Sequence, residues 1–141
     1  MTDDAKRLRR VRLIERIRSV EQRQAASAAF EAEAVRQRLE KLSEKTRSLA
    51  QLYALRDHSA DGAELRSASV MGQQLRELGR TAEQHASQAR LDADAKLLNL
   101  ASAERRRQRA EEDRRGVHRT ILDRLSRPDD VPVRKSGTII E

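Results

Sequence analysis

His58, His85 and His118 are the three histidines of this chain, and it contains no cysteine. None of the three lies at metal-ligand spacing from another, so neither a metal centre nor imidazole catalysis is expected. The serines carry no nucleophile signature, and no glycine-rich segment is placed to cradle a phosphate. The sequence therefore predicts a protein that is not an enzyme, with no catalytic residue, metal or cofactor. Arginine is the pronounced chemistry that remains. Seven basic residues stand between Lys6 and Arg18 against one acid, Glu15, and nine arginines between Arg105 and Arg127 against Glu111, Glu112, Asp113 and Asp123. With a formal charge of +7 overall, the rest of the chain is net acidic, and the two basic segments are suited to an acidic partner.

Positioning those segments falls to helices. Charged residues make up 38% of the 141 residues and aromatic ones 1%, too little bulky apolar material for a globular core. Abundant Ala, Leu, Glu, Arg and Gln favour long helices. Ala28, Ala32, Val35, Leu39, Leu42, Thr46, Leu49 and Tyr53 advance by alternating steps of four and three, a heptad seam. Leu13, Ile17 and Val20 sit on a stripe displaced around Gln24, which predicts a stutter. Apolar positions of the first half match those of the second about a central turn. Leu39 meets Leu78, Leu42 meets Leu75, Leu49 meets Ala68 and Ile17 meets Leu100, the paired numbers adding to about 117 or 118.

The expected fold is all-α: a two-helix antiparallel coiled-coil hairpin. It comprises a helix over about 4–57, a turn at 58–62 and a helix over about 63–127, followed by a flexible tail at 128–141 beyond Pro128. Asp3 and Asp4 complement the first helix dipole, and Asp61 with Glu64 forms a capping pair for the second. Ala25, Ala28 and Ala32 opposite Ala86, Ala89 and Ala93 predict a narrow waist. The register also predicts that Glu111 to Arg127 overhangs the start of the first helix. That would leave Val117, Ile121, Leu122 and Leu125 as an apolar stripe for a partner, unless the N-terminus folds up to cover it. Near the turn, Leu52, Leu55, Val70, Met71 and Leu78 supply more aliphatic surface than one seam can bury, and Phe30 falls on the outer face. No run of 18 apolar residues exists, and Met1 to Val20 alternates arginine with aliphatics, so a cytoplasmic protein without direct membrane insertion is expected.

The basic aliphatic start, Leu8, Leu13, Ile17 and Val20, is followed by Leu39, Leu42, Leu49 and Tyr53. On the return come Leu75, Leu78, Ala82, His85 and Ala89. With a short turn and an alanine-rich waist, this pattern resembles the FliJ family of flagellar type III export proteins over Ala5 to Leu125. The resemblance implies a non-enzymatic stalk component, held at the cytoplasmic face of the inner membrane through the export apparatus. It would engage the hexameric export ATPase ring and the export gate membrane protein, and handle export chaperones. Carried onto this chain, Arg7, Arg9, Arg10, Arg12, Arg105, Arg106, Arg107 and Arg109 with Val117 and Ile121 would face the ring. Leu49, Tyr53, Met71, Leu75, Leu78, Ala82 and His85 would face the gate. Two alternatives stand beside it. A nucleic-acid-binding coiled coil would use the same arginines, against the shortage of stacking aromatics and the acidic body. The other is a generic adaptor coiled coil.

Overall fold

The computed structural model describes residues 2–56 and 62–127. Helix α1 spans Thr2–Arg56 and helix α2 spans Gly62–Ser126. The two pack against each other as an all-α helical hairpin. Asp3 and Asp4 in the first turn of α1, Glu64 in that of α2 and Arg124 in the last turn of α2 all complement the helix dipoles. Arg127 closes α2 by donating its backbone N–H to the Asp123 carbonyl at 3.1 Å. The expected turn as far as Asp61, the Asp61 cap, His58 and the tail at 128–141 lie outside the described residues. By packing, the chain divides into two units: Met1–Val20 with Arg105–Glu141, and Glu21–Glu104. Both arginine-dense segments thus belong to one unit, as the hairpin reading requires.

Buried and half-buried positions recur by alternating steps of four and three, from Asp4 to Tyr53 in α1 and from Ala68 to Ile121 in α2. The heptad period is the expected one and its phase is not. Ala32, Leu39, Thr46 and Tyr53 lie in the seam as read from the sequence, but the alternate positions are Ala29, Arg36, Ser43 and Ala50, each one residue past the expected Ala28, Val35, Leu42 and Leu49. Ser43 is 5% and Thr46 3% exposed, against 48% for Leu42 and 46% for Leu49. The stutter is absent too: the steps run through Gln22 and Ala25 without a shift, and Leu13, Ile17 and Val20 are exposed. The reason lies on α2, where Ala82, Ala86, Ala89 and Ala93 are all buried. Short side chains let the axes approach to the near end of the 8–10 Å range for packed helices. Leucines at the alternate positions would hold the axes apart and strip those alanines of neighbours.

The register moves with the phase. In the Glu21–Glu104 unit Ser43 Oγ donates to Glu83 at 2.9 Å, Arg90 Nε donates to Glu40 at 2.9 Å, and Gly79 faces Thr46. The paired numbers now add to between 125 and 130 instead of about 117 or 118. Leu39 is therefore level with Ala86 to Ala89, not with Leu78, and those alanines do not face Ala25 to Ala32. At its start α2 outruns α1: Gly62 to Ser67 are all exposed, and Ala68 is the first half-buried residue.

In the other unit Glu15 pairs with Arg114, and Asp4 with Arg124 at 2.8 Å. The first turn of α1 thus reaches the last turn of α2, and the expected overhang of Glu111 to Arg127 does not form. Val117 is buried and Ile121 half-buried at seam positions, with Leu8 and Val11 half-buried on α1, while Leu122 and Leu125 stay exposed.

Candidate protein-interaction surfaces

In the Glu21–Glu104 unit the two sides of the seam differ in chemistry. Along one side run Glu33, Glu40 and Arg47 of α1 and Glu83 and Arg90 of α2. Glu40 accepts from Arg36 at 3.0 Å and from Arg90 at 2.9 Å. Glu83 accepts from Ser43 Oγ at 2.9 Å and Arg90 at 3.2 Å, with Arg47 at 3.8 Å. The Ser43 hydroxyl first, then Arg90, holds the Glu83 carboxyl below the usual carboxylate range. Hydrogen bonding from Arg36 does the same for Glu33, and Glu40 followed by Glu83 holds the Arg90 proton more tightly. These pairs are solvent-screened, so they fix register more than they add stability. An open trough of about 330 Å³ lies on this side, with Ala50, Leu75 and Gly79 in it and Arg47, Arg76 and Arg80 among its lining.

The opposite side is aliphatic. Val35, Leu42 and Leu49 on α1 and Met71 and Leu78 on α2 each precede a seam residue by one position, and all five are exposed. In an antiparallel heptad pair such positions flank the seam on the same side. The register puts Leu49 level with Leu78 and Leu42 level with His85, which is also exposed. A contiguous exposed aliphatic face of this kind marks a binding site more often than scattered single residues do.

Of the expected gate-facing residues, Leu49, Met71, Leu78 and His85 share this face. Tyr53 and Leu75 are half-buried in the seam beside it, and Ala82, 3% exposed, is enclosed and cannot serve as a contact. Leu42 and Val35, read from the sequence as seam, belong to the surface instead. The signal that could have found them is the Ala, Ser and Arg that follow the large residues at heptad spacing. Leu52, Leu55 and Val70 are exposed, as the excess of aliphatics near the turn predicts, and so is Phe30.

In the unit built from Met1–Val20 and Arg105–Glu141 the carboxylates are drawn to particular arginines. Glu15 pairs with Arg114, Asp4 with Arg124, and Glu111 with Arg107 at 3.6 Å and Arg115 at 2.7 Å. Arg7, Arg9, Arg10, Arg12, Arg105, Arg106 and Arg109 are exposed. Arg107 is half-buried at a seam position, and Val117 and Ile121 are covered by the chain itself. These three therefore leave the expected ring-facing set, and seven arginines remain of it.

His85 and His118 are exposed, and no group of three potential metal ligands occurs among the described residues. No helix among them is long and apolar enough to cross a membrane. No protein-family model matches the chain, nor does any curated protein or solved structure.

Proposed function

We propose that this chain is a non-catalytic coupling protein: a coiled-coil hairpin that engages one partner through its basic unit and another through the aliphatic face around Leu42, Leu49, Met71 and Leu78. The FliJ-like pattern of the sequence supplies the identities. The arginines engage an acidic surface of a hexameric type III export ATPase, and the aliphatic face engages the export gate protein, with export chaperones as further cargo. The protein is then cytoplasmic and reaches the inner membrane through the gate.

One observation carries this reading. The intramolecular seam of the Glu21–Glu104 unit is built mainly from alanine, glycine, serine and paired charges, with Leu39, Tyr53 and Leu75 half-buried. It leaves Val35, Leu42, Leu49, Met71 and Leu78 exposed, where burial against a partner would stabilise a complex by about 1.5–3 kcal/mol for each one fully covered. Exposed arginines add orientation and association rate through charge complementarity. Neither contribution needs a reacting group. Nucleic-acid binding through the same arginines is the competing reading, and it gives the aliphatic face no role.

The test is capture of the export ATPase and of the soluble domain of the gate by the full chain. Replacing Arg105, Arg106 and Arg109 together by Gln should weaken ATPase capture with helicity unchanged. Replacing Leu42, Leu49 and Leu78 by Gln should weaken gate capture alone. Wild-type capture by both variants would refute the assignment.

A further inference from the structure

Of the exposed residues on the first five turns of α1 the coupling role takes only Arg7, Arg9, Arg10 and Arg12, and it leaves the aliphatic ones without a part. Leu13, Ile17 and Val20 are 57%, 47% and 48% exposed. At about 100° per residue the three fall within about 60° of one another, on the side of the helix opposite Val11, Glu15 and Arg18 of the seam. Lys6, Arg9, Arg10 and Arg16 flank them and are exposed as well. Between Ala5 and Val20 there is a single carboxylate, Glu15, and it is turned inward and paired with Arg114. The outward face of this segment is therefore aliphatic along its middle, basic on both flanks and free of acid.

That combination fits one kind of surface best. An anionic bilayer offers phosphates at the level of the flanking cations and an apolar boundary just beneath them, so aliphatic and basic groups are satisfied together. A nucleic acid would take the arginines and leave three aliphatic side chains in water. From the outward placement of Leu13, Ile17 and Val20 between Lys6, Arg9, Arg10 and Arg16, with the only acid held in the seam, we infer that residues 6–20 of α1 dock flat on an anionic lipid surface. The helix lies in the headgroup layer and does not span it. Binding of this type is reversible and salt-sensitive. It shares Arg9 and Arg10 with the coupling role, but Leu13, Ile17 and Val20 belong to neither of the surfaces assigned there, so substituting these three tests lipid docking apart from coupling.

Flotation of the full chain with vesicles tests this, using equal parts phosphatidylglycerol and phosphatidylcholine against phosphatidylcholine alone. Each basic group near an anionic leaflet raises the partition about fivefold, so the anionic vesicles should bind at least tenfold better. Replacing Leu13, Ile17 and Val20 by Gln should cut that binding at least tenfold, because each aliphatic side chain contributes roughly fivefold. These positions lie outside the seam, so the thermal transition should stay in place and capture of the export ATPase should not change. The chain has no cysteine, so Ile17→Cys carrying an environment-sensitive dye gives a second readout. Its emission should shift to the blue on anionic vesicles and not on single-stranded RNA. No flotation with anionic vesicles, wild-type flotation by the triple variant, or a dye that stays in water while the chain is bound would each overturn the inference. The last two would assign the arginines to polyanions such as RNA.

Discussion

Gly79 and Gly116 make a matched pair for testing where the seam runs, because both lie within α2 and only one faces α1. A Cβ built on Gly79 meets Thr46 Cγ2 at 3.6 Å, an ordinary van der Waals contact, whereas one on Gly116 meets nothing within 4 Å. Glycine inside a helix costs about 1 kcal/mol relative to alanine. Gly79→Ala and Gly116→Ala should therefore each stabilise the protein by about 1 kcal/mol and raise the melting temperature by roughly 4 °C. Leucine separates them. Gly116→Leu keeps most of the propensity gain because its side chain goes into solvent. Gly79→Leu sets three further carbons against Thr46 and into the open trough that residue 79 lines, so it buries apolar surface on α1 and should be more stable than Gly116→Leu. Thermal unfolding followed by far-UV circular dichroism reads all four variants. Equal melting temperatures for the two leucine variants would place residue 79 in solvent and refute the seam described above.

Leu39→Ala should cost at least 1 kcal/mol more than Leu42→Ala in chemical unfolding, since Leu39 is half-buried in the seam and Leu42 is 48% exposed on its flank. Equal costs would return Leu42 to the seam. The Glu83 carboxyl, held down by Ser43 and Arg90, titrates below its unfolded value of about 4.3. Its contribution is therefore complete above that value and is lost as pH falls through the lower folded one. Stability should decline on acidification through this window, less so in Glu83→Gln. Ser43→Ala should move the Glu83 titration up toward the ordinary range in an NMR pH series, and an unmoved titration would contradict the Ser43 contact.

The sequence made the helices, the heptad period and the gathering of both arginine clusters legible, because propensity and charge are properties of each residue counted in place. The phase was not legible. Reading the stripe by hydrophobicity ranks Leu42 above Ser43 and Leu49 above Ala50, yet the packing surface of α2 is built from Ala82, Ala86, Ala89 and Ala93, and it takes the smaller residue of each pair. The register followed the phase. A seam of near-identical small side chains slides at little cost, so alignment is decided by polar partners such as Ser43 with Glu83 and Glu40 with Arg90, which apolar matching ignores. Val117 and Ile121 share a helix face, as their spacing predicts. They lost their interaction role because Leu8 and Val11 of the same chain come level with them once the register moves.

Cysteine pairs test the register and the phase together, since a disulfide closes only between positions that face each other at short range. The chain with Thr46→Cys and Gly79→Cys should form an intramolecular disulfide under mild oxidation, read by intact mass and by thiol labelling. The chain with Leu39→Cys and Leu78→Cys should keep both thiols. Closure of the second pair with the first left reduced would contradict the small-residue seam and every surface assigned from it.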